Sequence, residues 1–295
     1  MKVLFIFCEG PDDSSFCHLV LQHALSIRGY SVPCYHEYPS PLDGIFKKTI
    51  ENMHIQDGDE ITLLPRMLYD YSDNLKIIIV EMKGQDNLAL SKKLLAKIST
   101  FSYKHAKHYP TFDGVQETDI EDYKFLFTFD ADYMSVSERI DKWKNDFSDV
   151  SRGWNIENHC LHANNVSAIA EDKAIYVWKT DTETSTLEDI VISLLSDNNT
   201  YLISQAEEFV NYWPWTPSNP SLESKSKVKA EKLKAILTIA GQKHRPGRGL
   251  PPIIQDYVKG PNKKELPAII LKLNNNSHVK QFSAFVKEFI EQGWI

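Results

Sequence analysis

The sequence predicts an α/β protein: a mostly parallel sheet flanked by helices, with a mainly helical C-terminal extension. Three observations predict it. Lys2–Cys8, Lys76–Glu81 and Tyr123–Phe129 are short β-branched or aromatic runs, the composition of buried strands. Each run passes into a polar turn, and each turn into an apolar pattern of helical spacing. This alternation favours parallel neighbours joined by right-handed crossovers, as in Rossmann-like sheets.

Taken in order, the first strand enters Glu9-Gly10-Pro11-Asp12-Asp13-Ser14, whose last members suit a helix N-cap. Phe16, Leu19, Val20, Ala24 and Ile27 then mark a helix face, and Gly29 is a natural stop. Residues 30–75, broken by Pro33, Pro39 and Pro41, read as an elaboration, with a short helix at Ile45–Met53 and a strand at Glu60–Leu64. Order returns at the second strand. Lys83 to Asn87 and the turn glycine Gly84 follow it, then a helical face of Leu90, Leu94, Leu95 and Ile98. The third strand ends in Asp130-Ala131-Asp132, and Ser135 or Ser137 can cap a helix through Trp143 and Phe147. Further strands are expected at Glu157–Leu161 and Ala174–Trp178, and a helix at Leu187–Leu195. Residues 1–200 therefore read as the α/β domain.

Residues 201–295 read as a helical, locally basic extension. Tyr212-Trp213-Pro214-Trp215 suits a packed corner, although Trp213 and Trp215 could also stack on bases. A basic helix at Val228–Ala240, a Gly- and Arg-containing stretch at Gln242–Leu250 and a last helix near His278–Gln292 follow.

The net charge of −7 excludes a protein that coats nucleic acid by bulk charge, but the charge is uneven. Residues 221–248 carry eight Lys/Arg against two Asp/Glu, a net of +6, which leaves −13 elsewhere. Lys243, Arg245 and Arg248 in the glycine-containing stretch suit phosphate or nucleic-acid contact. The lysines of the preceding helix read better as a solvated face, with Leu233, Ile236, Leu237 and Ala240 turned to the core. No apolar run approaches the roughly 20 residues that span a bilayer. Met1–Cys8 is too short for a signal peptide and ends at Glu9. Four cysteines show no CxxC pairing, and neither His105/His108 nor His159/His162 matches a zinc signature. The expectation is a cytoplasmic protein with reduced thiols and no membrane partner.

The residues suited to chemistry are acidic. Along an extended chain Asp130 and Asp132 share a face, and two carboxylates that close repel unless a cation neutralises them. Hard oxygen ligands with open positions suit Mg2+, with Mn2+ also possible. Glu9 leaves its strand just before Gly10, so its carboxylate can serve as a metal ligand or a general acid/base. Asp12 and Asp13 fit better as helix caps. Glu188 is open to two readings: Ser185-x-x-Glu188, like Thr186-x-x-Asp189, fits a capping box, yet its carboxylate can also complete the acidic group. Ligands on such sheets sit beyond the carboxyl ends of the strands, where Glu9, Gly84, Asp130 and Asp132 all fall.

Together these motifs resemble the Toprim family, which includes topoisomerases, bacterial primases, small ribosomal-RNA maturases and nucleases of the overcoming-lysogenisation-defect type. The resemblance rests on Phe5-Ile6-Phe7-Cys8-Glu9-Gly10, on Ile78-Ile79-Val80-Glu81-Met82-Lys83-Gly84, and on Leu126-Phe127-Thr128-Phe129-Asp130-Ala131-Asp132. Tyr176-Val177-Trp178-Lys179-Thr180-Asp181 leading to Thr186-Leu187-Glu188-Asp189 is similar to a smaller group of Toprim-related nuclease-like proteins. It covers roughly residues 1–200. The departures are a longer connection at 30–75 and Thr182–Ser185 in place of a glycine-rich loop.

The resemblance implies a Toprim-like fold in which Glu9, Asp130 and Asp132 are catalytic and, with Glu188, bind Mg2+. It implies a nuclease or related phosphodiester-transfer enzyme acting on DNA or RNA. The alternative is a non-catalytic Toprim module that binds a phosphorylated ligand or a protein partner in a defence or repair complex. The chain has no GxxxxGK[ST] motif, so any ATP hydrolysis would come from a partner ATPase.

Overall fold

The computed structural model describes residues 1–31, 37–40, 67–82, 122–150, 160–161, 166–170, 172–182, 185–216, 221–242 and 272–292, with isolated positions between them. Among the described residues eight strands form one sheet: β1 (Lys2–Cys8), β2 (Arg28–Ser31), β3 (Met67–Ser72), β4 (Leu75–Glu81), β5 (Asp122–Asp130), β6 (Cys160–Leu161), β7 (Ser167–Ala170) and β8 (Lys173–Trp178). Their order is β2-β3-β4-β1-β5-β8-β7-β6. The four central strands, β4-β1-β5-β8, run parallel, and antiparallel pairs finish each side. The expected α/β class with a mostly parallel centre is what the chain adopts.

The central strands read as continuous apolar runs because both faces are covered. Alternate residues serve the two faces. Leu4, Ile6, Cys8, Ile77, Ile79, Leu126, Tyr176 and Trp178 join one cluster, and Val3, Phe5, Phe7, Ile78, Val80, Phe125, Phe127 and Val177 the other. Stacked Phe5–Phe125 and Phe7–Phe127 pairs, with centroids 5.7 and 5.1 Å apart, couple β1 to β5.

Five longer helices complete the described fold: α1 (Pro11–Leu19), continued by a π-helical turn at Val20–Ala24, α2 (Val136–Asp146), α3 (Leu187–Asn211), α4 (Leu222–Gly241) and α5 (Ser277–Glu291). α2 packs Ile140, Trp143 and the following Phe147 on one face. On the other face α1, α3, α4 and α5 contribute to a single cluster. Buried Lys124 on β5 donates to the Phe289 carbonyl oxygen at 2.6 Å and to that of Gln292, fastening the end of α5 to the sheet.

Several local expectations are corrected. α1 begins at Pro11 rather than after Asp13. Pro suits the first helical position, and Asp13 accepts the Gly10 N–H at 3.1 Å from inside the helix. Gly29 is no helix stop but part of β2. A Cβ there would come within 2.7 Å of the Tyr69 ring opposite, so the close approach requires glycine. The region at 30–75 contributes β3, and β7, between β8 and the edge strand β6, is a strand that composition did not mark. α3 runs through residue 200 to Asn211, because Leu202, Ile203, Ala206 and Val210 continue its apolar stripe past the polar Asp197–Thr200. α4 begins at Leu222, where Ser221 accepts the Ser224 N–H at 3.2 Å. Of the expected helix at Ile45–Met53 the structure describes Phe46, helical and buried, while the strand at Glu60–Leu64, Gly84 and both histidine pairs lie outside the described residues. Among the described residues, no helix is long and apolar enough to cross a membrane.

Candidate functional site

The parallel register sets where the acidic residues emerge. Cys8 lies beside Glu81 of β4 and Thr128 of β5, so Glu9 and Asp130 leave the same end of the sheet. β5 extends further, pairing Asp130 with Trp178 of β8. The helices that follow β1 and β8 begin at this end and bring Asp12, Asp13 and Glu188 with them.

Glu9 is held by a cation that the sequence reading did not single out. Arg139 Nη2 donates to Glu9 Oε2 at 2.8 Å. Arg139 is 2% exposed and Glu9 22%, so the guanidinium is the more deeply buried partner. It also lies 4.7 Å from the Phe129 ring centroid. A signal was present: Arg139, Trp143 and Phe147 fall at i, i+4 and i+8, so Arg139 stands on the apolar stripe of α2.

Asp130 directs both carboxylate oxygens at one backbone group. The Leu187 N–H at the start of α3 lies 3.0 Å from each. Burial holds the Asp130 carboxyl well above the usual carboxylate range, reinforced by the charges of Asp13, Glu188, Glu9 and Asp132. Asp13 is raised in the same way, by burial first and then by Glu9, Glu188 and Asp12.

Asp132 departs from the extended geometry expected of it. Its φ is 53°, a left-handed conformation that Asp tolerates, and its backbone bridges Ser185 through bonds of 2.8 and 2.7 Å. The Asp130/Asp132 pair is therefore set by a turn that ties β5 to the start of α3, not by a flat i, i+2 repeat.

The two readings of Glu188 separate here. The capping box is formed by Thr186 and Asp189, with Asp189 Oδ2 accepting the Thr186 N–H at 3.0 Å. Glu188 is thereby left free to turn inward, where its side chain is 6% exposed. Oε1 lies 3.4 Å from Lys234 Nζ, and Oε2 is buried with no hydrogen-bond partner. Lys234 also reaches Asp12 Oδ2 at 3.2 Å, while Asp12 Oδ1 is likewise buried and unpartnered. Burial alone would lower Lys234, but Glu188 and Asp12 more than offset it and hold the ammonium above its ordinary value. Burial raises Glu188, and Lys234 pulls it back. Nearby, Lys229 pairs with Asp189 at 2.8 Å, so this part of α4 is not a purely solvated lysine face.

Glu9, Asp12, Asp13, Asp130, Asp132 and Glu188 thus share one electrostatic neighbourhood, which Arg139 and Lys234 enter. Every potential ligand is a carboxylate oxygen, the chemistry a hard cation takes. As placed, no three acidic, histidine or cysteine groups among the described residues are gathered closely enough to hold a metal ion. Asp12 and Asp13, assigned to capping by sequence, are the acidic members that reading passed over. Glu81 at the end of β4 is another, accepting from Ser14 Oγ at 2.6 Å. Lys243, Arg245 and Arg248 lie outside the described residues. Trp215 packs, donating to the Val210 carbonyl oxygen at 2.7 Å, whereas Trp213 is exposed.

No family model matches the chain, and no curated protein matches it. Among solved structures it is similar to a hypothetical protein from Pyrococcus horikoshii OT3, with 15% identity and a TM-score of 0.46. That match covers 98% of this chain and 100% of the other.

Proposed function

We propose that the protein is a Toprim-type, Mg2+-dependent nuclease or related phosphodiester-transfer enzyme that acts on DNA or RNA. The observation that carries this reading is Glu188 Oε2, a buried oxygen without a hydrogen-bond partner amid carboxylates at one sheet end. An orphaned carboxylate oxygen is costly unless something occupies its lone pairs. A divalent cation would satisfy it and relieve the repulsion that raises Asp13 and Asp130.

Asp130, Asp132 and Glu188 would hold the ion, with Glu9 as a further ligand or as the general acid/base. Mg2+, or Mn2+ in its place, would supply a Lewis acid to a phosphate oxygen. The remaining roles belong to the chain. Arg139 orients Glu9, whose carboxylate is exposed enough to exchange a proton with an attacking or leaving hydroxyl. Lys234 balances Asp12 and Glu188. Lys243, Arg245 and Arg248 would follow the nucleic-acid backbone, and any ATP hydrolysis would come from a partner ATPase.

Cleavage of single- and double-stranded DNA and RNA, with Mg2+, Mn2+ or a chelator, tests the proposal. Metal-dependent cleavage that disappears in Glu9→Gln and Asp130→Asn, with folding intact, is expected. Full activity in either pure variant removes that residue from the mechanism.

One observation favours a second reading, a non-catalytic module for a phosphorylated ligand or protein partner. The acidic residues are partly matched by Arg139 and Lys234, and no three of the described groups close on one point. Titration calorimetry with Mg2+ separates the two readings, because absence of metal binding supports the module.

A further inference from the structure

α1 does not end cleanly. Its last turn widens into the π-helical Val20–Ala24, closed by a bond from Leu25 N–H to the Val20 carbonyl oxygen at 3.0 Å. Ser26 then takes a left-handed φ of 57°. Inserted π turns are uncommon and occur disproportionately at functional positions. Here the insertion carries Ala24 to the wall of a cavity of about 250 Å³ between this turn and α5.

The cavity has a consistent chemistry. Leu273 and Val279, both fully buried, give it an apolar floor. Ser283 lines it with a hydroxyl oxygen that is buried and has no hydrogen-bond partner. Lys280 and Lys287 stand at its rim. Positions 280, 283, 284 and 287 share one face of α5, so both lysines and Ser283 border the same opening. Neither lysine forms an ion pair among the described residues, in a chain whose net charge is −7. Two lysines without an ion pair among the described residues, a buried hydroxyl without a partner, the nearby Asn274 and an apolar floor suit an anionic head on an apolar body. The volume is below the roughly 300–1,000 Å³ of sites for drug-sized ligands, which sets the ligand as small.

We infer that this cavity is a binding site for a small organic anion, a carboxylate or phosphate on a short apolar body. The anionic head is taken by Lys280, Lys287 and the Ser283 hydroxyl, and the body lies on Leu273, Val279 and Ala24. The site is separate from the acidic sheet end. α1 starts there and runs away from it, so its 14 helical residues place the cavity about 20 Å off. The inference does not rest on the acidic site or on its metal.

Calorimetry and chemical-shift mapping on the full-length protein test it, using hexanoate, hexyl phosphate, inorganic phosphate and neutral hexanol. Saturable binding of hexanoate or hexyl phosphate is expected, with shifts confined to Ala24, Leu273 and the stretch from Val279 to Lys287. Hexanol and inorganic phosphate should bind at least tenfold more weakly, since each lacks one half of the recognised chemistry. The two organic anions distinguish a carboxylate from a phosphate site. Lys280→Ala/Lys287→Ala should lose tenfold or more in affinity, and Ala284→Phe, which fills the opening from an exposed position, should abolish binding. No saturable binding by either organic anion, or equal binding in the double lysine variant, would overturn the assignment.

Discussion

Both carboxylate oxygens of Asp130 lie 3.0 Å from the Leu187 N–H, so the end of β5 caps the start of α3. One residue thus carries a structural duty and a candidate chemical one, and substitutions separate them. Asp130→Asn retains an acceptor for Leu187 while removing the charge. Asp130→Ala removes both and leaves a helix-start N–H unpaired, which costs about 1 kcal/mol relative to the Asn variant. Urea denaturation should rank Asn above Ala by roughly that amount, with neither variant cleaving nucleic acid.

The same carboxyl gives stability a pH dependence. Asp13, Asp130 and Glu188 are raised above their ordinary values, with burial the largest cause in each. A raised carboxyl stabilises the fold fully below its unfolded value, about 4. That contribution is lost as pH rises through the folded-state value, because the unfolded chain ionises first. In chelator, the melting temperature of the native protein relative to Asp130→Asn should therefore fall from pH 4.5 towards neutrality. Mg2+ at pH 7.5 should recover the difference in the native protein and not in the variant.

Glu9 and Arg139 are unequal partners, and their substitutions should be unequal. Arg139 is 2% exposed and Glu9 22%. Glu9→Ala strands a buried guanidinium and is expected to cost about 3 kcal/mol. Glu9→Gln keeps an oxygen for Arg139 Nη2 and should cost less, which makes it the better probe of chemistry. Arg139→Met leaves a carboxylate that water can reach, and so should be milder than Glu9→Ala. Unfolding free energies of the three variants check the order.

Much of this arrangement was legible in sequence, for a local reason. Strand ends were readable because Lys2–Cys8 and the runs into Glu81 and Asp130 are apolar until a polar residue stops them. That placed Glu9 and Asp130 at one sheet end before any contact was known. What escaped depends on contacts distant in sequence. The Arg139–Glu9 pair spans 130 residues, and nothing near Arg139 names its partner beyond its place on the Trp143 stripe. Glu188 was ambiguous because two overlapping motifs fitted one helix start, and the choice of Asp189 for the cap turned Glu188 inward. Gly29 looked like a stop because the demand on it comes from Tyr69 on β3, 40 residues away.

Lys234 links the extension to the acidic group, and its removal should have an effect that depends on pH. It contacts Asp12 at 3.2 Å and Glu188 at 3.4 Å. Glu188 is buried, so Lys234→Met leaves a desolvated carboxylate without its ammonium neighbour and raises it further. Lys234 is itself 47% exposed, and solvent screening limits the cost at neutral pH to roughly 1 kcal/mol. The sign follows from linkage: below its raised folded-state value Glu188 is protonated in the folded native and variant chains alike, so the ammonium has no Glu188 charge to balance. The stability gap between native and variant should therefore be narrower at pH 4 and widen as pH rises through the folded-state value of Glu188. Paired urea titrations at pH 4 and 7.5 measure it. A gap independent of pH would mean that Lys234 acts through the packing of its aliphatic stem, not through its charge.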